Sequence, residues 1–246
     1  MVEFGRRLYE RNYIGAAEGN LSVRLADGRI MITPSGANKG FMKPDDLVIC
    51  DASGKKVQGD GKPSSEIKLH VAIYNWRPNV AAVCHAHPVY ATAYSAARIP
   101  LMRPILPEVV GTIGGVPLTP YAMPGSSELP QSLAGLIERY DAFLLEAHGV
   151  LTLGKTLEDA FNKIETIERY ASILFVAVQL GNVKDLPERE IDRLLKGAGR
   201  SNIKGDIMKY AVDIAPGLLQ PEKSVEALPE LPQSRQESKK RKAGYR

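Results

Sequence analysis

Apolar positions near the start of the chain change rhythm. Phe4 and Leu8 lie one helical turn apart, with Tyr13 and Ile14 continuing less regularly, which predicts a helix over 3–13. Leu21, Val23 and Leu25 then alternate with polar neighbours and predict a strand. Asp27-Gly28 is a hairpin turn signal, and 29–33 reads as the second strand. Residues 34–40 read as a loop, 47–60 as strand, turn and strand, and Pro63-Ser64-Ser65 opens a helix over 65–75. A strand over 80–86 and a helix over 88–97 follow, then a Pro- and Gly-rich segment, 99–125, with short strands. Ser126 or Ser127 is the expected cap of a helix ending near Tyr140. Residues 142–148 and 150–154 are two strand-like apolar runs. Thr156 is the expected cap of a long helix to Leu180, on which Leu157, Ala160, Phe161, Ile164, Ile167 and Leu174 recur at helical spacing. Residues 187–197 predict one more helix. Strands and helices mixed in this way, with many hairpins, predict a three-layer α/β or α+β domain over 1–220, with α/β the expected class. The stretch 221–246 sets prolines among Glu, Ser, Gln and Lys and predicts a disordered tail.

Composition removes several function classes. The chain has 246 residues, 44% of them hydrophobic, enough for a full core. Its longest apolar run, Ala171 to Leu180, is about half of the ~20 residues a membrane span needs. The first residues lack an apolar h-region, so no signal peptide is expected. Cys50 and Cys84 are too few and too far apart for a disulfide framework, and a reducing cytoplasm is the expected compartment. Net charge is +4, of which residues 221–246 carry +3, from seven basic and four acidic side chains. The nearly neutral body argues against a nucleic-acid partner.

The chain has four histidines. On a strand over 80–87, His85 and His87 share a face, two imidazoles about 7 Å apart, a spacing that suits a divalent metal as well as two plain polar residues at a strand end. His148 also closes an apolar strand, just before Gly149. Three imidazoles would leave coordination positions open, as in a catalytic zinc site. Glu66, in the first turn of the helix over 65–75, reads either as a favourable charge at a helix N-terminus or as a carboxylate for a metal and for proton transfer. His70, one turn further on the same face, reads either as a partner behind the metal ligands or as a packed ring, with packing favoured.

Three turns suit an anion: Gly19-Asn20, Ser35-Gly36 and Ser64-Ser65, with small residues, hydroxyls and a helix start. Residues 149–156 fit the P-loop pattern GxxxxGK[ST], but Val150, Leu151, Thr152 and Leu153 read as strand rather than phosphate loop.

Together the stretches EGNLSVRL (18–25), MITPSGANKG (31–40), KPSSEIKLHVAIY (62–74), AAVCHAHPVYATAYS (81–95), VPLTPYAMPGSSEL (116–129) and LLEAHGVLTLGKTLEDAF (144–161) resemble the class II aldolase/adducin family, in its L-fuculose-phosphate aldolase type. The resemblance implies a mostly antiparallel central sheet flanked by helices. It implies a Zn2+ site, or one for another divalent metal, of His85, His87 and His148, with Glu66 as extra ligand and acid/base. Phosphate would bind at Gly19, Asn20, Ser35, Gly36, Ser64 and Ser65. The implied reaction is reversible cleavage of a ketose 1-phosphate to dihydroxyacetone phosphate and an aldehyde, in a homotetramer with active sites at subunit interfaces. Where family aldolases place a tyrosine to help protonate the aldehyde, residues 103–115 have none and offer Glu108; Tyr121 lies nearby. Within the same family a sugar-phosphate 4-epimerase would carry Asp at Glu66, a methylthioribulose-phosphate dehydratase would eliminate water, and an adducin-like scaffold would lack the histidines.

Overall fold

The computed structural model describes residues 1–211. The expected tail, 221–246, lies outside the described residues. Helices α1 (Val2–Glu10), α2 (Ile67–Trp76), α3 (Val89–Ala96), α4 (Pro107–Thr112), α5 (Leu157–Gln179), α6 (Glu188–Gly197) and α7 (Lys204–Met208) surround eight strands. These are β1 (Asn20–Arg24), β2 (Ile30–Ile32), β3 (Val48–Cys50), β4 (Lys56–Gln58), β5 (Ala82–Ala86), β6 (Leu118–Thr119), β7 (Ala142–Leu145) and β8 (Gly149–Gly154). They form one sheet in the order β4-β3-β2-β1-β5-β8-β7-β6. Every pairing is antiparallel except β6 with β7.

Both faces of the sheet are covered, which makes the three layers. On one face Val83, Phe143 and Leu151 join Ile30, Leu69, Ile73 and Tyr140. On the other, Ala82, Cys84 and Ala86 pack with Leu144, Phe161, Ile164 and Tyr170. Each fully buried Leu, Ile or Phe contributes about 1.5–3 kcal/mol, so α5, which supplies nine buried residues, is the main clamp on its face. Its cap is the expected one: Thr156 Oγ1 accepts from the Asp159 backbone N–H at 3.0 Å. Thr152 on β8 donates to the Ala160 carbonyl at 2.7 Å, fixing the helix to the strand. The P-loop-like stretch is therefore β8 plus a helix cap.

The helix expected over 126–140 does not form. Pro130–Leu133 is a short 3-10 turn, and Gly135, at φ +76°, breaks the path beyond it. Leu129, Leu133, Ile137 and Tyr140 are nevertheless buried, so the spacing marked the core side without marking the conformation. Helix α4, inside the segment read as short strands, starts at Pro107, which suits a first helical turn. Among the described residues no helix is long and apolar enough to cross a membrane.

Candidate active site

Strand β5 ends, and its antiparallel neighbours β1 and β8 begin, on one rim of the sheet. Asn20 opens β1 and pairs in register with His85 near the end of β5. His87 follows β5, and its backbone N–H donates to the Tyr13 carbonyl at 2.8 Å. His148 sits in the turn from β7 to β8, its N–H bonded to the Leu145 carbonyl, with Ala147 before it in the left-handed region at φ +52°. Gly149 is required: a Cβ there would stand 2.5 Å from His87 Cδ2 and 2.6 Å from the Ala86 carbonyl.

The three rings converge. His85 Nε2 lies 3.0 Å from His87 Nε2 and 3.2 Å from His148 Nε2. Four nitrogens around a zinc ion at ~2.0–2.1 Å would stand about 3.4 Å apart, so the spacing fits a common cation. His85 Nδ1 donates to the Val150 carbonyl at 2.9 Å, which leaves the Nε2 lone pair facing the centre. Glu66 completes the set, with Oε1 3.3 Å from His148 Nε2 and Oε2 3.7 Å from His85 Nε2. The donor set and its spacing fit a divalent metal.

Glu66 is held from behind. Asn20 Nδ2 donates to its Oε2 at 3.0 Å. The Asn20 carbonyl oxygen is 2.5 Å from His70 Nε2, and His70 Nδ1 is 2.6 Å from Ser22 Oγ, itself 2.7 Å from the Tyr74 hydroxyl. An amide with its N–H on Glu66 must accept from His70 Nε2–H, so Ser22 donates to Nδ1. His70 is thus more than a packed ring: it fixes which way Asn20 points.

A cavity of ≈ 160 Å³ opens over this rim, lined by Glu66 and the three histidines together with Gly19, Asn20, Ser35, Gly36, Ser64 and Ser65. The three turns read from the sequence thus share one wall. Gly19, at φ +66°, approaches too closely for a side chain: a Cβ would meet the His85 carbonyl at 2.7 Å. Lys39 also lines the cavity and was not singled out from sequence, although it lies in the matching stretch 31–40. Glu108 is on the exposed first turn of α4 and Tyr121 is exposed; neither is among the cavity residues.

Burial holds the histidines neutral. His70 is lowered to about 4 by burial, with Glu66 opposing. His87 is lowered to about 3, by burial and then by His85 and His148, and burial also lowers His85 and His148. The unfolded chain therefore binds these protons at higher pH than the folded one. Stability is fully present above the ordinary value near 6.5 and is lost as pH falls toward 4. Between pH 6.5 and 5, His70 alone accounts for roughly 2 kcal/mol. Urea unfolding of the chelator-treated protein is expected to show its midpoint falling steeply over this interval; a flat profile would contradict the buried, neutral assignment.

A family model described as class II aldolase and adducin N-terminal domain matches residues 1–175. The 3-oxo-tetronate 4-phosphate decarboxylase of Escherichia coli K12 is 37% identical over 180 residues, 72% of this chain and 84% of its own. An L-fuculose phosphate aldolase of Methanococcus maripaludis is 35% identical over 176 residues, 71% of this chain and 94% of its own. Among solved structures, YgbL from Klebsiella pneumoniae superposes with a TM-score of 0.74 at 37% identity, covering 79% of this chain and 95% of that one. An L-fuculose 1-phosphate aldolase gives 0.74 at 33% identity, over 79% of this chain and 92% of that one.

Proposed function

Since the chain belongs to the class II aldolase and adducin family, we propose that it is a metal-dependent carbon–carbon lyase acting on a phosphorylated α-hydroxy ketone. Its first product would be the enediolate of dihydroxyacetone phosphate. The observation that carries this reading is the meeting of His85, His87, His148 and Glu66 beside the turns of Gly19-Asn20, Ser35-Gly36 and Ser64-Ser65. His85, His87 and His148 would hold a divalent cation, zinc first among candidates, which would supply Lewis acidity toward the developing enediolate.

The leaving fragment is carbon dioxide in the reading we favour. In a 3-oxo-tetronate 4-phosphate the bond between carboxylate and carbinol carbon breaks, its electron pair passes into the enediolate, and one proton added at that carbon gives dihydroxyacetone phosphate. Loss of carbon dioxide needs no proton transfer at the departing group, whereas aldol cleavage needs one at the aldehyde oxygen. Among the described residues, the cavity's only carboxylates are Glu66 and Glu18 and it has no tyrosine, which suits decarboxylation. The 37% identity to the decarboxylases points the same way. Aldol cleavage of L-fuculose 1-phosphate is the second reading, supported by the relatives from Methanococcus maripaludis. Glu66 serves both, moving the proton at the enediolate carbon.

Incubating the metal-loaded protein with each substrate separates them. Dihydroxyacetone phosphate is read with a coupled dehydrogenase, carbon dioxide and aldehyde independently. The expected result is equal release of dihydroxyacetone phosphate and carbon dioxide from the keto acid. Aldehyde from the fuculose ester alone would establish the second reading, and an epimerised or dehydrated product would displace both.

We further propose a cytoplasmic homotetramer with active sites at subunit boundaries. Val89 and Tyr90 on α3 with Phe175, Val176 and Leu180 on and after α5 leave apolar surface exposed next to His87, which a second copy would cover. Cys50 and Cys84, both buried free thiols, suit a reducing compartment.

A further inference from the structure

The phosphate cradle read from the sequence carries no charge. Gly19, Asn20, Ser35, Gly36, Ser64 and Ser65 offer backbone N–H groups, an amide and hydroxyls, whereas a phosphate ester carries close to two negative charges at neutral pH. Apart from the histidines, Lys39 is the one basic residue among the described residues that line the cavity.

Lys39 is held in an unusual way for a lysine. It is only 3% exposed, although lysine is almost never buried without a partner. Its Nζ donates to the Ala17 carbonyl at 2.6 Å, and this is its one hydrogen bond among the described residues. An ammonium has three N–H groups, so two have no acceptor among the described residues. Its stem starts from a fixed point, since α1 packs against it: a Cβ on Gly5 would stand 2.7 Å from the Lys39 carbonyl. Burial lowers its pKa to about 8, with Glu66 and then Glu18 pulling it up, so it is still largely cationic at neutral pH.

We infer that Lys39 is a substrate-binding residue whose ammonium takes a phosphate oxygen and supplies the positive charge that the rest of the cradle lacks. The inference rests on the function proposed above. A buried cation with two unused donors on a cavity wall is costly unless an anion arrives. The bond to Ala17 also ties the cation to the Gly19-Asn20 turn, so one side chain sets both the charge and the shape of the pocket.

The test compares the full-length, metal-loaded protein with Lys39→Met and Lys39→Arg. It measures binding of inorganic phosphate by calorimetry and proton exchange into dihydroxyacetone phosphate and into dihydroxyacetone by NMR. The two ketones share the carbonyl and hydroxyl, and neither carries a carboxylate, so their ratio isolates the phosphate. Loss of one charge-assisted bond predicts that Lys39→Met weakens phosphate binding about 10- to 100-fold and lowers the preference for the phosphorylated ketone by the same factor. Lys39→Arg should recover part of both. Unchanged phosphate affinity in a folded Lys39→Met protein overturns the inference, as does an equal loss on both ketones, which would leave Lys39 as a pin for the Ala17 turn. If Met prevents folding, Lys39→Gln takes its place with the same expectations. Should the parent protein exchange neither ketone while Lys39→Met still weakens phosphate binding, the functional reading fails and the assignment of Lys39 stands.

Discussion

Replacing His85 by alanine is expected to abolish both cation binding and turnover. His85 is the central ring of the three, within 3.2 Å of both others at Nε2, and is anchored through Nδ1 to Val150. Removing it takes away one nitrogen and the spacer that holds His87 and His148 at a common distance. Even an outer partner of a metal ligand is worth about 10–100-fold in affinity, so losing the ligand should leave less than about a tenth of the cation per chain after dialysis. Lewis acidity contributes several kcal/mol, so activity should fall by at least about 10³-fold. Elemental analysis and the dihydroxyacetone phosphate assay read the two effects on one sample. A fully active protein free of cation would refute the metal assignment.

Glu66→Gln should separate chemistry from fold. Glutamine has nearly the same shape, and its side-chain oxygen can still accept the bond that Asn20 Nδ2 now gives to Glu66. What it cannot do is carry a proton to or from carbon. Removing a positioned acid or base costs typically about 10²–10⁴-fold. Deuterium exchange at the hydroxyl-bearing carbon of dihydroxyacetone phosphate should slow by that order. Circular dichroism should be unchanged, and elemental analysis would show whether the cation is retained. Exchange at the parent rate, with cation retained, removes Glu66 from the proton transfer.

Much of this site is legible in the sequence because it lies on regular structure. His85 and His87 face the same way on account of strand alternation, and His148 is placed by the end of an apolar run. The long helix was legible from Thr156 to its C-terminal end because cap and spacing agree. Two kinds of feature were not. Residues 126–140 carry helical spacing, but Pro130 and Gly135 override it, and burial survives where the helix does not. Lys39 and the Asn20–His70–Ser22–Tyr74 chain depend on contacts between residues up to 52 positions apart, for which local pattern holds no signal. In sequence His70 is an ordinary member of an apolar helix face, and only the crossing of β1 beneath α2 turns it into the brace of Asn20.

The rim where β5 finishes and β1 and β8 begin has a broader consequence. Asn20 and His85 lie on the buried central strands and His148 in the turn that enters β8, so in the reaction proposed above the half that forms the enediolate rests on the scaffold. No described side chain on the cavity wall is dedicated to the other half. An ancestral catalyst of this build could exchange one departing group for another through a few surface substitutions, keeping its carbanion-forming machinery intact. Selection for a new substrate would then cost little in folding stability, and traces of the older activity should persist as side reactions.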